Sequence, residues 1–371
     1  MIHDADLEVR APMTALSVSL PDRRRLLGMA VPFIAVIGSM IVGLLLIAAS
    51  GKDVPDAIEA FMDGAFGSAF AIGASINRAV ALSLVGLGFI LAFRANLTNV
   101  GGEGQIAVGG IAATALGLWP PIGDLPLGLA VLVPLLGGTL AGAFWGGIAG
   151  FMKVRFGTNE VISTLLLGFV ALLLVYWCVQ STTLLRQPQT SSATLPESLP
   201  IADAVKLPSL TGDPGSPLHI GLVICLLLAV AAAIVLQRST FGLRLRAIGL
   251  NELAARRAGM PGGILLVVAL AIAGAFGGLA GAIMLQGEQY YLKTGFSSGY
   301  GFDGLVVGLL SRGSTVGVLA GALFFGFLRS GGISMEIMAQ VPAALTLVIQ
   351  GLIVIAVAGS VILVERLQGG R

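Results

Sequence analysis

Ser239-Thr-Phe-Gly-Leu-Arg-Leu-Arg-Ala-Ile-Gly-Leu-Asn-Glu-Leu-Ala-Ala-Arg-Arg-Ala-Gly-Met260 is the one long polar, basic segment in a chain that otherwise reads as membrane. Apolar runs at 218–236 and 263–285 flank it. Within it, Asn251 is a good N-cap, Glu252 suits the positive first turn, and Gly259 followed by Pro261 is a stop signal. The spacing predicts a short helix over 252–258 that carries Arg256 and Arg257. A rigid basic helix wedged between two spans suits a cytosolic partner that pushes against it. Charge alone fits a solvated loop equally well.

Working outward, hydrophobic residues make up 56% of the 371 residues and charged ones only 11%. Mean hydropathy is +0.96. No soluble domain of this size has that balance, so the fold class is an all-α polytopic membrane protein. The 53 glycines fit close helix packing in lipid. Cys178 and Cys225 both fall in apolar runs and suit neither a disulfide framework nor a metal site. His3 and His219 are too scattered for a ligand cluster. Arg23-Arg24-Arg25 precedes an apolar run to Ala49 that is too long for a signal peptide, so it reads as an uncleaved first span behind a cytoplasmic tail, 1–26.

About ten apolar windows are candidate spans within a transmembrane region, 27–364: 27–49, 67–92, 105–118, 126–150, 161–180, 218–236, 263–285, 303–311, 315–329 and 341–364. With both ends cytoplasmic, the inner segments hold Arg10, Arg23, Arg24, Arg25, Arg94, Lys153, Arg155, Arg238, Arg244, Arg246, Arg256, Arg257, Arg312, Arg366 and Arg371. The outer ones hold Lys52, Arg78, Arg186, Lys206, Lys293 and Arg329. That asymmetry is what the positive-inside rule demands, with 239–260 and 365–371 cytoplasmic and 182–217 outside. Arg78 is ambiguous: interfacial, or a buried charge facing protein. Residues 53–66 have amphipathic spacing and are expected to lie along the outer surface. The proline-rich loop 181–217 reads as a spacer.

The third and eighth windows are too short to cross about 30 Å as straight helices. Both open on a glycine-acid cluster, Gly101-Gly-Glu103-Gly104 and Gly301-Phe-Asp303-Gly304, and each is followed by Leu-Ala-Gly-Ala, at 140–143 and 319–322. Windows five apart would be inverted in the membrane, so an inverted repeat is possible, and broken spans at matching positions point to a translocation site. The same tetrapeptide recurs at 279–282, which weakens the match. Candidate path residues are therefore Asn99, Glu103 and Gln105 at the first cluster, Asn159, Glu160, Ser163 and Thr164 opening the fifth span, and Asp303. Glu103 and Glu160 read equally well as charges that helix dipoles favour at N-termini. Tyr290 and Tyr291 are candidates to stack a ring-bearing solute. No nucleotide-binding loop, metal motif or nucleophile elbow occurs, so an enzyme active site has no support.

The stretch Phe93-Arg-Ala-Asn-Leu-Thr-Asn99-Val-Gly-Gly-Glu103-Gly-Gln105 resembles the N-I-G-x-E-G-Q signature of ABC-importer permeases for nucleosides and simple sugars, the ribose-permease-like class. Gly157-Thr-Asn159-Glu160-Val-Ile-Ser163-Thr164 resembles the G-x-N-E-V-I-S-T segment of the nucleoside branch. Phe241 to Gly259 is similar to the family's cytoplasmic loop, and Gly301-Phe-Asp303-Gly304 to its G-F-D-G element. The resemblance covers roughly residues 80 to 360. Two departures stand out: Leu167-Gly168-Phe169 replaces the L-N-Y usual in nucleoside permeases, and Glu252 replaces a common proline.

The resemblance implies a type II ABC importer permease of the bacterial inner membrane. Its loop helix would be a coupling helix, with Arg244, Arg246, Asn251, Glu252, Arg256 and Arg257 facing a cytosolic ATPase that holds ATP and magnesium. This chain itself would need no cofactor. A periplasmic or lipoprotein solute-binding protein would deliver the solute, and a second permease chain, commonly a paralogue, would complete the pair. No nucleic-acid partner is expected. Two alternatives remain open: an ABC permease for another solute such as branched-chain amino acids, against which Asn159-Glu160-Val161-Ile162 argues, and an ion-coupled carrier using Glu103, Glu160 or Asp303.

Overall fold

The computed structural model describes residues 23–190, 195–213 and 215–367. The ends of the two expected tails, with Arg10 and Arg371, lie outside the described residues. The described chain is helical with only isolated β-bridges. Its helices are α1 (Arg23–Ala49), α2 (Val54–Phe66), α3 (Ala69–Phe93), α4 (Gly102–Gly117), α5 (Pro120–Gly123), α6 (Leu127–Phe156) and α7 (Glu160–Gln180). After a long loop come α8 (Gly221–Arg238), α9 (Thr240–Leu250), α10 (Glu252–Arg257), α11 (Gly262–Met284), α12 (Tyr300–Leu310), α13 (Thr315–Met338) and α14 (Ala343–Leu367).

Among the described residues, seven helical stretches are long and apolar enough to cross a membrane: those of α3, α6, α7, α8, α11, α13 and α14. This is a multi-pass membrane protein. The helix α3 is its axis: 83% of its apolar stretch is buried, against 28% for α7 and α8, which face outward. Asn77 and Ser75 of α3 sit in this interior with their polar groups satisfied, Asn77 by the carbonyl of Pro217 at 2.7 Å.

Packing around α3 is reciprocal. The short helix α4 packs on α6 and α11, while the short helix α12 packs on α13 and α3. Likewise α6 packs on α11 and α13 on α3. The first of these long-helix contacts is made by bare backbone. A Cβ on Gly274 would stand 2.2 Å from the carbonyl oxygen of Gly142, and one on Gly278 would stand 2.2 Å from that of Gly138. In lipid, where apolar side chains gain little by leaving their solvent, such close approach supplies the dispersion contacts that hold helices together.

The helix α2 starts at the expected place. Asp53 caps it by accepting from Asp56 N at 3.2 Å, and its Ala57, Ala60 and Ala65 are buried. Two expectations are corrected. The ninth window was expected to end at Arg329. Instead α13 runs on to Met338, because Arg329 is matched inside the bundle by Asp303 at 2.6 Å. The loop after α7 is also more than a spacer. Ser198 N, Ile201 N and Leu207 N donate to the carbonyls of Leu292, Tyr290 and Gln286, each at 2.9 Å, and Ile201, Val205 and Leu207 are buried. Its prolines shape a cover over the end of α11.

The α6–α11 seam makes a direct prediction. Gly278→Ala is expected to destabilise the detergent-solubilised protein by about 1–3 kcal/mol through overpacking, read as a lower thermal midpoint. An unchanged midpoint would show that the seam has slack.

Candidate functional site

Two helices begin in the interior and meet end to end. After α3, the chain turns at Asn96, whose φ is 58°, and runs back as an extended segment to α4. After α11, a π turn (Leu285–Gln289) and a loop with Tyr290, Ser298 and Gly299 at positive φ return the chain to α12. The first turns of α4 and α12 touch through glycine: a Cβ on Gly301 would overlap the backbone of Gly102 and Glu103. Only a residue without a side chain permits this approach.

The carboxylate of Glu103, only 5% exposed, joins the two ends. Its Oε1 accepts from Gly299 N and its Oε2 from Gly301 N, each at 2.8 Å. Those amides are among the unpartnered donors that every helix start leaves, and the dipoles of both helices favour an anion there. The same residue satisfies the earlier reading of Glu103 as an N-terminal charge and ties it to the other half of the chain.

A neutral network holds the first junction. Asn99 Nδ2 donates to Gln105 Oε1 at 3.0 Å, Gln105 Nε2 donates back at 3.2 Å, and Gly101 N donates to Asn99 Oδ1 at 3.0 Å. Thr164 Oγ1 accepts from Val100 N at 3.1 Å and donates to the carbonyl of Glu160 at 2.7 Å, which pins α7 beside α4. Thus Asn99, Glu103, Gln105 and Thr164 form one buried region, with Asp303 a turn away in α12. Asn159, Glu160 and Ser163 belong to a separate place, the α6–α7 turn. There Asn159 caps α7 by accepting from Val161 N at 2.9 Å, and Glu160 pairs with Lys153 at 2.6 Å. Ser163 donates back to the carbonyl of Asn159.

A narrow cleft opens over Glu103, lined by Val100, Leu165, Gly168, Phe169, Leu172 and Phe302. A Cβ on Gly168 would meet nothing closer than 3.9 Å, so the missing side chain leaves room beside Gly104. Phe169 and Phe302 are 53% and 41% exposed and line this side. The two tyrosines expected to stack a solute are engaged elsewhere: Lys206 lies over Tyr290 at 4.7 Å and Lys293 over Tyr291 at 5.4 Å.

The basic loop folds as two helices rather than one. Asn251 accepts from Ala254 N at 2.9 Å and so caps α10, and Glu252 pairs with Arg256 at 2.7 Å. Arg244, Arg246, Arg256 and Arg257 are exposed, as are Leu243, Leu250 and Leu253. Ala255, Leu245 and Ile248 are buried and anchor the pair. A Cβ on Gly249 of α9 would stand 2.3 Å from the carbonyl oxygen of Arg94, so α9 rests directly on the end of α3. Exposed leucines thus stand among arginines on one face of the pair.

Sequence reasoning missed Glu288 and the helix α9, and left Arg78 undecided. The signal for the charges was present: an ionisable residue inside an apolar run is a functional candidate by default. The helix α9 was hidden by Gly242 and Gly249, which lower its helix propensity but are required where it touches α8 and α3.

A family model described as the permease component of branched-chain amino acid transport systems matches residues 71–358. The guanosine ABC transporter permease NupP of Bacillus subtilis is 34% identical over 338 residues, covering 91% of this chain and 95% of that protein. The glucose ABC transporter permease TsgB13 of Haloferax volcanii is 34% identical over 87% of this chain and 85% of its own length. The nucleoside ABC transporter permease NupB of Lactococcus lactis is 31% identical over 85% and 88%. No solved structure matches the chain.

Removing the junction's carboxylate tests its role. Glu103→Ala leaves two buried amides without an acceptor and is expected to cost about 2–6 kcal/mol, at about 1–3 kcal/mol per orphaned donor. Glu103→Gln, which keeps one acceptor, is expected to lose less. Thermal denaturation of the three proteins in one detergent measures this, and equal midpoints would contradict the cap.

Proposed function

This chain belongs to the family of ABC-transporter permeases, and on that premise we propose that it forms the membrane path by which nucleosides enter the cell. The observation that carries the solute class is the capped junction. In broken-helix transporters, bare helix N-termini at mid-membrane attract the anionic groups of their substrates. Here the start of α12 is already neutralised by Glu103, which favours an uncharged solute over a zwitterionic amino acid. The exposed rings of Phe169 and Phe302 beside that junction suit a flat base. A guanosine permease and a nucleoside permease among the relatives support the same choice. The glucose permease, equally similar, favours sugars as the second reading, and a nucleoside and a sugar share an uncharged, hydroxylated ring.

The path residues are Asn99, Glu103, Gln105, Thr164 and Asp303, with Asn159, Glu160 and Ser163 at the inner end of α7. The helices correspond to ten spans with both chain ends in the cytosol, and the reciprocal packing of α4 and α12 supports an inverted repeat. The α9–α10 pair seats in a cytosolic ATPase that holds ATP and magnesium, through Arg244, Arg246, Asn251, Glu252, Arg256 and Arg257. This chain binds no cofactor of its own. A second permease chain, a paralogue of this one, covers the apolar face around the cleft. A periplasmic or lipid-anchored binding protein docks on the loop cover, and the assembly sits in a bacterial inner membrane.

The mechanism follows from the contacts. Movement of α10 is passed to α9, from Gly249 to the end of α3 at Arg94, and along α3 to the junction, where α4 and α12 part or close. Replacing residues 252–258 with a Gly-Ser linker is therefore expected to abolish uptake of labelled guanosine while leaving the membrane level of the chain intact. Affinity purification in mild detergent, with mass spectrometry, is expected to recover an ATPase, a second permease and a solute-binding protein. Normal uptake by the linker variant, or recovery of the chain alone, would overturn this reading.

A further inference from the structure

Charged side chains gather where α3, α13, the π turn and the start of α12 meet. Arg329 Nη1 donates to Asp303 Oδ2 at 2.6 Å, its Nη2 donates to the carbonyl of Ser298, and its guanidinium lies 4.0 Å from the centroid of the Tyr300 ring. One residue further along α13, Ser330 Oγ accepts from Arg78 Nη1 at 2.7 Å. Glu288, in the π turn, completes the set. Its Oε1 is buried with no hydrogen-bond partner, and Arg78 and Arg329 are the cations whose field reaches it.

The set holds two cations and two carboxylates, but only one pair is closed. Arg78 offers a planar fork of five donors and makes one hydrogen bond, to the Ser330 hydroxyl, while Oε1 of Glu288 is buried without a partner. A buried carboxylate oxygen without a partner is costly, and ionisable residues inside a membrane protein mark moving parts or pathways. Other buried atoms of the same loop are also unpartnered: Ser297 Oγ and Gln289 Oε1. A fold that needed this arrangement only for support would close the pair.

The backbone supplies a way to close it. Residues 285–289 are wound as a π turn, with Tyr290 N donating to Leu285 O at 2.8 Å, and Tyr290 itself is held at φ 61°. A non-glycine residue at positive φ is strained, and π turns are associated with functional sites. Relaxing one π turn to α-helical register shifts the following residues by one position, about 100° around the helix axis and about 1.5 Å along it. That motion re-aims Glu288.

We propose that Glu288 and Arg78 close into an ion pair in the second access state of the permease, so that these four charges act as a latch on the re-entrant loop 290–299. In the state described here the latch is held by Arg329 and Asp303 alone. In the second state the π turn relaxes and Glu288 takes the free donors of Arg78. Both residues are positioning residues: they act through the loop that carries Gly299 and Gly301 onto Glu103. The inference rests on the reading of this chain as an alternating-access permease.

The test uses the complete transport complex, in a background of Cys178→Ala and Cys225→Ala. Arg78→Cys with Glu288→Cys is treated with a short bifunctional thiol reagent, first without nucleotide and then after trapping with ATP and vanadate. Cross-linking is expected to change several-fold between the two conditions, with no such change for a pair placed within α13. In parallel, Glu288→Gln and Arg78→Gln are each expected to lower ATP-driven uptake roughly tenfold, the size of a typical coupling between states, at unchanged membrane level. The exchanged variant Arg78→Glu with Glu288→Arg is expected to recover most of it. Equal cross-linking in both conditions, or wild-type uptake by Glu288→Gln, would overturn the latch. Cross-linking reports the access state and not the solute, so failure of the wild-type complex to carry guanosine would count against the substrate reading alone.

Discussion

The structure depends on one buried carboxylate. Glu103 spans the gap between two helix starts, taking the amides of Gly299 and Gly301 while standing in the first turn of α4. Without an acceptor there, a helix that begins inside a membrane leaves its first donors unpaired where no water can reach them. With it, the starts of α4 and α12 meet in the interior and the first amides of α12 are satisfied. The glycines at 102 and 301 are the other half of this constraint, since any side chain at 301 would overlap the backbone that carries Glu103.

That junction explains why so much of the bundle is built from small residues. The long helices α6 and α11 approach through Gly138, Gly142, Gly274 and Gly278, backbone against backbone, and so form a stiff slab. The helix α3 packs against this slab on one side and against α12 and α13 on the other. The slab is joined by direct backbone packing, whereas the junction beside it is held by two hydrogen bonds to one carboxylate. The exposed face of the α9–α10 pair bears Leu250, Leu253 and Arg256, while its buried Leu245, Ile248 and Ala255 pack on the end of α3 and on α11, with Gly249 set directly against Arg94.

Much of this was legible in the residues. Apolar windows located the long helices because a lipid-spanning segment must be apolar for its whole length, and Asn251 announced its cap because few residue types can accept from the first amides of a helix. The glycine-acid clusters marked the starts of the short helices α4 and α12. What could not be read was partnership across the chain. Nothing near Glu103 in sequence names Gly299, and nothing near Arg329 names Asp303. A window scan therefore ended α13 early at a charge that is in fact paired. The loop after α7 was misjudged for a related reason. Its prolines were taken as marks of a spacer, while its backbone donors find acceptors in a segment about ninety residues away, at Gln286, Tyr290 and Leu292.

Glu103, Glu160 and Asp303 are each engaged by a partner within the chain, which favours drive through the α9–α10 face over an ion held at one of these carboxylates. The most direct measurement is uptake of labelled guanosine into proteoliposomes that carry the whole complex, comparing ATP with an imposed proton or sodium gradient. The account predicts uptake that requires ATP, stops with vanadate and ignores a protonophore. Uptake that follows the gradient, persists with vanadate and collapses with the protonophore would contradict it.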